Sequence, residues 1–105
     1  MSQVPLTPAV FHILLALSDG PLHGYAVMQE VEASAGFPMG PGTIYGTLER
    51  LESSGFVKEV AAAGEARRRT FALQPAGRAA LQDEARRLSR LASLVRSKRL
   101  LPRES

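Results

Sequence analysis

Three consecutive arginines, Arg67-Arg68-Arg69, form the densest run of charge in this sequence. Guanidinium groups are permanent cations with forked donors that match phosphate oxygens. The run opens an alternating segment, so at most two of the three side chains share a face. The plain alternative is a charged edge strand that resists pairing with other chains. A second group is Thr43, Tyr45, Gly46, Thr47 and Arg50. If this stretch is a helix, Thr43, Gly46, Arg50 and Ser53 fall opposite an apolar face of Ile44, Leu48 and Leu51. Tyr45 and Thr47 then lie on the flanks. Short hydroxyls and one arginine are the groups that reach base edges in a major groove. The Tyr45 hydroxyl is suited to a phosphate. The competing readings are a solvated helix face and, for Tyr45, a half-buried ring. Gly46 costs a helix interior about 1 kcal/mol relative to alanine. Either a close approach from outside offsets that cost, or the position needs no side chain. Lys58 completes the set of cations near these residues.

Other chemistry finds little support. The chain has no cysteine, which removes thiol nucleophiles, disulfides and thiolate metal sites. His12 and His23 are its two histidines, with no third ligand at a zinc-like spacing. His23 is expected to cap or pack at the start of a helix. The neighbouring carboxylates Glu30/Glu32 and Asp83/Glu84 read as solvated helix charges. No glycine-rich phosphate loop follows a strand. We therefore expect no catalytic residue, no metal and no cofactor. The 105 residues suffice for one structural unit. Residues 1–57 carry one base and five acids, whereas residues 58–105 carry twelve bases and five acids. A basic second half favours a polyanionic partner. Apolar runs fall far short of the roughly 18 residues a membrane span needs, and Met1 to Thr7 lacks the pattern of a secretory leader. The expected location is the cytoplasm, with no membrane partner.

The elements that must position these groups follow from periodicity and punctuation. Thr7-Pro8 reads as an N-cap and first helical proline. Val10, Phe11, Leu14, Leu15 and Leu17 give the first helix an apolar face, and Ser18-Asp19-Gly20-Pro21 stops it. A second helix spans about His23 to Ser34, with Tyr25, Met28 and Val31 predicted inward. Phe37 to Gly42 is a Gly/Pro turn. A third helix runs from about Pro41 to Ser54 and ends at Gly55. The period then changes to two, over Phe56 to Val60 and again over Arg69 to Leu73, with Ala61 to Ala66 between. The two strands make a hairpin. From Pro75 or Ala76 a last helix continues for about 25 residues, roughly 37 Å, and the tail Leu100 to Ser105 frays. Along it Leu81, Ala85, Leu88, Leu91, Ala92 and Val95 recur at threes and fours. Asp83 and Arg87 are spaced for an i, i+4 pair. A stripe this long exceeds what the small body can cover, and a second copy of the chain is the economical partner. Complete packing on the chain's own first helix is the alternative.

Three helices, a hairpin and a terminal helix are the order of a winged helix-turn-helix. The fold class is mainly α with a small β-hairpin. Residues 1–74 would form the winged-helix DNA-binding domain, and residues 75–105 the dimerisation helix and its tail. In such folds the second helix of the motif enters the major groove and the hairpin is the wing.

Four segments carry a family resemblance. Asp19-Gly20-Pro21-Leu22-His23-Gly24-Tyr25, Gly42-Thr43-Ile44-Tyr45, Leu48-Glu49-Arg50-Leu51-Glu52-Ser53-Ser54-Gly55 and Arg67-Arg68-Arg69-Thr70-Phe71-Ala72-Leu73-Gln74-Pro75-Ala76-Gly77-Arg78 resemble PadR-family transcriptional regulators of the short type. The similarity extends from about Val4 to Leu94. The sequence departs from the family at Gly46, where proline is usual, and at Thr70-Phe71, where Tyr-Tyr is frequent. Gln74, a poor N-cap, stands where threonine is usual. The resemblance implies a homodimeric repressor on a near-palindromic DNA operator, with Phe11 of the first helix sharing the dimer interface. It also implies a small hydrophobic effector, for which the residues themselves offer little: there is no tryptophan, and the six aromatics are mostly needed elsewhere. The alternative function is a winged-helix module that binds protein without specific DNA binding, to which the acidic first half lends some weight.

Overall fold

Thr7 starts the first helix of the computed structural model, which describes residues 5–61 and 68–101. Its Oγ1 accepts a hydrogen bond from the Val10 amide at 3.3 Å, ahead of helix α1, Pro8–Ala16. A short 3₁₀ turn, Leu17–Asp19, carries the chain out of α1. Strand β1, Leu22–His23, follows and leads directly into α2, Gly24–Ala35. Helix α3 is Pro41–Ser53, strand β2 Val57–Val60, strand β3 Thr70–Leu73 and helix α4 Pro75–Ser97.

The expected hairpin is in fact part of a three-stranded antiparallel sheet, ordered β1-β3-β2. Val57 pairs with Leu73 and Val60 with Thr70. On the other edge Leu22 pairs with Phe71 and His23 with Thr70. Two residues are too short to show a period, so β1 left no pattern in the sequence. Its consequence is positional: it fixes His23 beside the base of the wing.

Residues from all four helices and both longer strands meet in one core. Ile13, Leu14, Leu17, Val27, Val31, Ile44, Leu48, Leu51, Val57, Phe71 and Leu81 are buried. Helix α2 is rotated relative to expectation. Gly24, Val27 and Val31 face inward, Met28 is half-buried, and Tyr25 is 59% exposed. The packing of Val27 and Val31 into the core sets this phase, and the cap sets where the helix begins. His23 Nδ1 accepts from the Ala26 amide at 3.3 Å, so the helix starts at Gly24. Its buried face runs i, i+3, i+7 from there.

Helix α4 begins without a side-chain cap, as Gln74 suggests. The Gln74 amide instead donates to the Phe56 carbonyl at 2.8 Å. Gly77 lies against that same carbonyl, with Leu73 Cδ1 only 2.9 Å from where a Cβ would stand. Leu81, expected at the seam with a second copy, is only 7% exposed and belongs to its own chain's core. Burial against its own core leaves it no surface for a partner. Glu84, expected in solvent, is also buried, because it falls on the apolar side of α4. Its carboxylate accepts two hydrogen bonds from Arg87, at 2.6 and 2.9 Å. The ion pairs on α4 are thus Glu84–Arg87 and Asp83–Arg86, not the expected Asp83–Arg87. Beyond Glu84 the stripe opens to solvent. Ala85 is exposed, as are Leu88 at 37% and Leu91 at 38%, while Ala92 and Val95 are half-covered. Phe11 packs partly buried against the core.

Candidate nucleic-acid interface

Helix α3 presents its outer face because its other face is spent on the core. Ile44 and Leu48 are fully buried and Leu51 nearly so. Gly42, Thr43, Glu49, Arg50, Glu52 and Ser53 are exposed. Among the described residues a Cβ at Gly46 would meet nothing within 4 Å, so no packing among them requires a glycine there.

Thr47 departs from expectation. It is 2% exposed, and its Oγ1 accepts from Arg50 Nη2 at 3.4 Å. On the wheel it borders Leu51 and Ile44, and the body covers that edge. A hydroxyl enclosed this way has no access to an external base, so Thr47 leaves the candidate set. It steadies Arg50 from within.

Tyr45 sits between α3 and the sheet. Its ring meets Phe71 edge-on with centroids 6.5 Å apart, and its hydroxyl end lies directly over Gly24. Only a residue without a side chain fits beneath it; Tyr45 Cε1 would stand 2.6 Å from a Cβ at that position.

The arginine run divides. Arg67 lies outside the described residues. Arg69 turns inward to carboxylates. It donates to Glu59 at 3.0–3.3 Å and pairs with Glu49 at 3.6 Å. Its guanidinium also lies over Phe71 and Tyr45, 5.2 and 5.8 Å from the ring centroids. The hydrogen bond to Glu59 raises its pKa above the ordinary arginine value, with burial opposing and the charges of Glu59 and Glu49 assisting. Arg69 therefore ties the wing to α3, and its charge is locally compensated. Arg68 is exposed, and its Nη1 approaches His23 Nε2 at 2.9 Å. Lys58 is exposed on β2. A cleft of about 380 Å³ between the start of α2, α3 and the wing is lined by His23, Gly24, Tyr25, Tyr45, Arg68 and Arg69. Sequence reasoning placed Tyr25 in the core and gave His23 only a capping role. The nearness of both to the wing depends on β1.

Residues 13–83 match the Transcriptional regulator PadR-like family. This chain belongs to that family. The PadR-like chain is 42% identical over 85 residues to the transcriptional regulator Rv3488 of Mycobacterium tuberculosis, a match covering 80% of this chain and 78% of the relative. It is 46% identical over 83 residues to an uncharacterized 37.1 kDa protein in transposon TN4556 of Streptomyces fradiae. That match covers 79% of this chain but only 24% of the relative, so the chain spans about a quarter of that protein. Among solved structures, a PadR family transcription regulator from Clostridium difficile superposes with a TM-score of 0.76 at 19% identity, covering 87% of this chain and 97% of that one. Bacillus subtilis PadR in complex with operator DNA superposes with a TM-score of 0.62 at 23% identity, covering 70% and 44% respectively. The PadR-like match contains α3, the wing and His23, and ends before Leu88. Among the described residues no group of three His, Asp or Glu side chains is placed to hold a metal ion. No described helix is long and apolar enough to cross a membrane.

Proposed function

We propose that this PadR-like chain binds double-stranded DNA as a homodimer and represses transcription from a near-palindromic operator. The observation that carries the reading is the outer face of α3. Gly42, Thr43 and Gly46 leave its first two turns low and open, and Arg50 stands one turn further on. Such a surface can descend into a major groove, with Thr43 and Arg50 reading base edges. Tyr45, Lys58 and Arg68 flank it as phosphate contacts. Residues 1–74 carry this surface, and residues 75–105 join two copies so that two α3 helices meet successive turns of the groove. Bacillus subtilis PadR, of similar fold, is described in complex with operator DNA, which supports the reading.

A small hydrophobic effector has a candidate seat in an apolar cleft of about 440 Å³ between the body and α4. Leu6, Val10, Leu51, Phe56, Ala80 and Glu84 line it. Occupation there would bear on the joint between the winged helix and the dimerising helix.

Gel retardation on the DNA upstream of the chain's own gene, followed by footprinting, tests the proposal. The expected result is a protected near-palindrome, bound in preference to random DNA of equal length. No preference at moderate salt would overturn it and leave a winged helix whose partner is protein.

A further inference from the structure

The hydrogen bonds of His23 do not close. A neutral imidazole carries one donor and one acceptor nitrogen. Nδ1 faces the Ala26 amide at 3.3 Å, which needs an acceptor. Nε2 faces Arg68 Nη1 at 2.9 Å, and a guanidinium only donates. If Nδ1 accepts from the amide, the ring proton resides on Nε2 and points at another donor. The two groups stand on the rim of the cleft that Tyr25 and Tyr45 also line, and both Arg68 and Tyr25 are exposed. An oxyanion bridging Nε2–H and the guanidinium would accept from both as they part, and would leave the cap at Nδ1 in place.

We infer that His23 and Arg68 together seat one phosphate of the DNA backbone, with the Tyr25 hydroxyl at its edge. The inference rests on the DNA-binding proposal and adds two residues to it. Arg69 is not part of the seat, because Glu59 and Glu49 already engage it. Two connections give the seat a defined place relative to the groove. The pairing of His23 with Thr70 holds α2 to the wing strand. Tyr45, over Gly24, holds α2 to α3. A phosphate fixed here therefore sets the register of α3 along the duplex without reading sequence itself.

The test uses the full chain, its operator, and operator duplexes in which one phosphate at a time is replaced by a neutral methylphosphonate. Arg68→Met removes the charge from an exposed residue. His23→Asn keeps an N-capping oxygen for α2 and deletes the Nε2 position. For the wild type, one replaced phosphate per half-site should cost roughly tenfold in affinity. Each variant should lose roughly that factor on operator and random DNA alike, and the same methylphosphonate should cost it nothing further. The salt dependence of Arg68→Met should flatten by about 0.9 per subunit. Wild-type affinity and salt slope in Arg68→Met would overturn the seat while leaving the DNA-binding proposal intact. Loss in Arg68→Met with none in His23→Asn would overturn the pairing. A wild type that binds no DNA would overturn both readings.

Discussion

Gly46 and Thr47 are neighbours on α3 with opposite surroundings, and single substitutions should separate what each does. Open space around Gly46 means that alanine gains helix propensity without a clash. Gly46→Ala should raise the free energy of unfolding by up to about 1 kcal/mol in urea titration. If the outer face enters a groove, the same variant should bind the operator more weakly; stability and affinity then move in opposite directions. Thr43→Ala and Arg50→Ala should each reduce preference for operator over random DNA by about 1–3 kcal/mol. Equal loss on both DNAs would make that residue a backbone contact. The angular position of Thr47 on the flank was legible in the sequence, but its burial was not: how far the body wraps round a helix depends on elements distant in the chain. The burial of Glu84 escapes the sequence for the same reason. Its hydrogen bond from Arg87 holds the carboxyl below the usual carboxylate range against the opposing cost of burial; the Arg87 charge and a backbone contact at Leu6 assist. A native pKa below the unfolded one stabilises above the unfolded value and is lost as pH falls through the native one. Glu84→Gln should therefore cost up to about 1 kcal/mol at pH 7, because Arg87 stays partly solvated. The deficit should disappear under acid, where the wild type is protonated too. Urea midpoints at neutral and acid pH check this, and a deficit independent of pH would refute it.

The elements themselves were legible where period and punctuation agree. Thr7-Pro8, the Gly/Pro turn before α3 and the change of period after Gly55 located three helices and two strands to within about two residues. What escaped was set by contacts across the chain. Strand β1 has two residues, and its evidence lies in its pairing with Phe71 and Thr70. The cap of α2 at His23 is as expected, but its inward face is not, because the core it meets takes Val27 and Val31 and leaves Tyr25 outside. The joint between sheet and α4 is similar. Gln74 offers no side-chain cap, so the helix depends on the Gln74 amide bound to Phe56 and on the close seat of Gly77 against that backbone. Backbone has little freedom to yield. Gly77→Ala should thus destabilise by about 1–3 kcal/mol from overpacking, despite the better helix propensity of alanine. It is the reverse of Gly46→Ala in the same urea experiment. A stabilised Gly77→Ala would mean that α4 shifts freely on the body and that this joint does not fix its direction.

At the scale of the molecule, α4 is where apolar surface is left uncovered. The particle measures 50 × 32 × 22 Å, elongated well beyond what its core requires. Leu81 and Glu84 anchor the first half of α4 in the chain's own body, and the second half carries its apolar stripe outward. Leu94, absent from the expected stripe, adds to that surface at 50% exposure. Sequence periodicity showed the stripe but not where burial ends; the boundary falls between Glu84, which is buried, and Leu88, which is exposed. This boundary divides the consequences of two similar substitutions. Leu81→Glu buries a charge without a partner and should unfold the winged helix itself. Leu88→Glu places its charge on a surface the monomer leaves open, so the body should keep its fold and helical circular dichroism. If two copies meet along Leu88, Leu91, Ala92 and Val95, that charge falls within their seam, and sedimentation should show a monomer where the wild type shows a dimer. Operator binding should then weaken by roughly a hundredfold or more, because the second half-site is no longer held at high effective concentration. Binding to one half-site should survive with its sequence preference, since α3 and the wing are untouched. A Leu88→Glu protein that still sediments as a dimer would move the interface to another face, with Phe11 and the exposed side of α1 as the next surface to substitute.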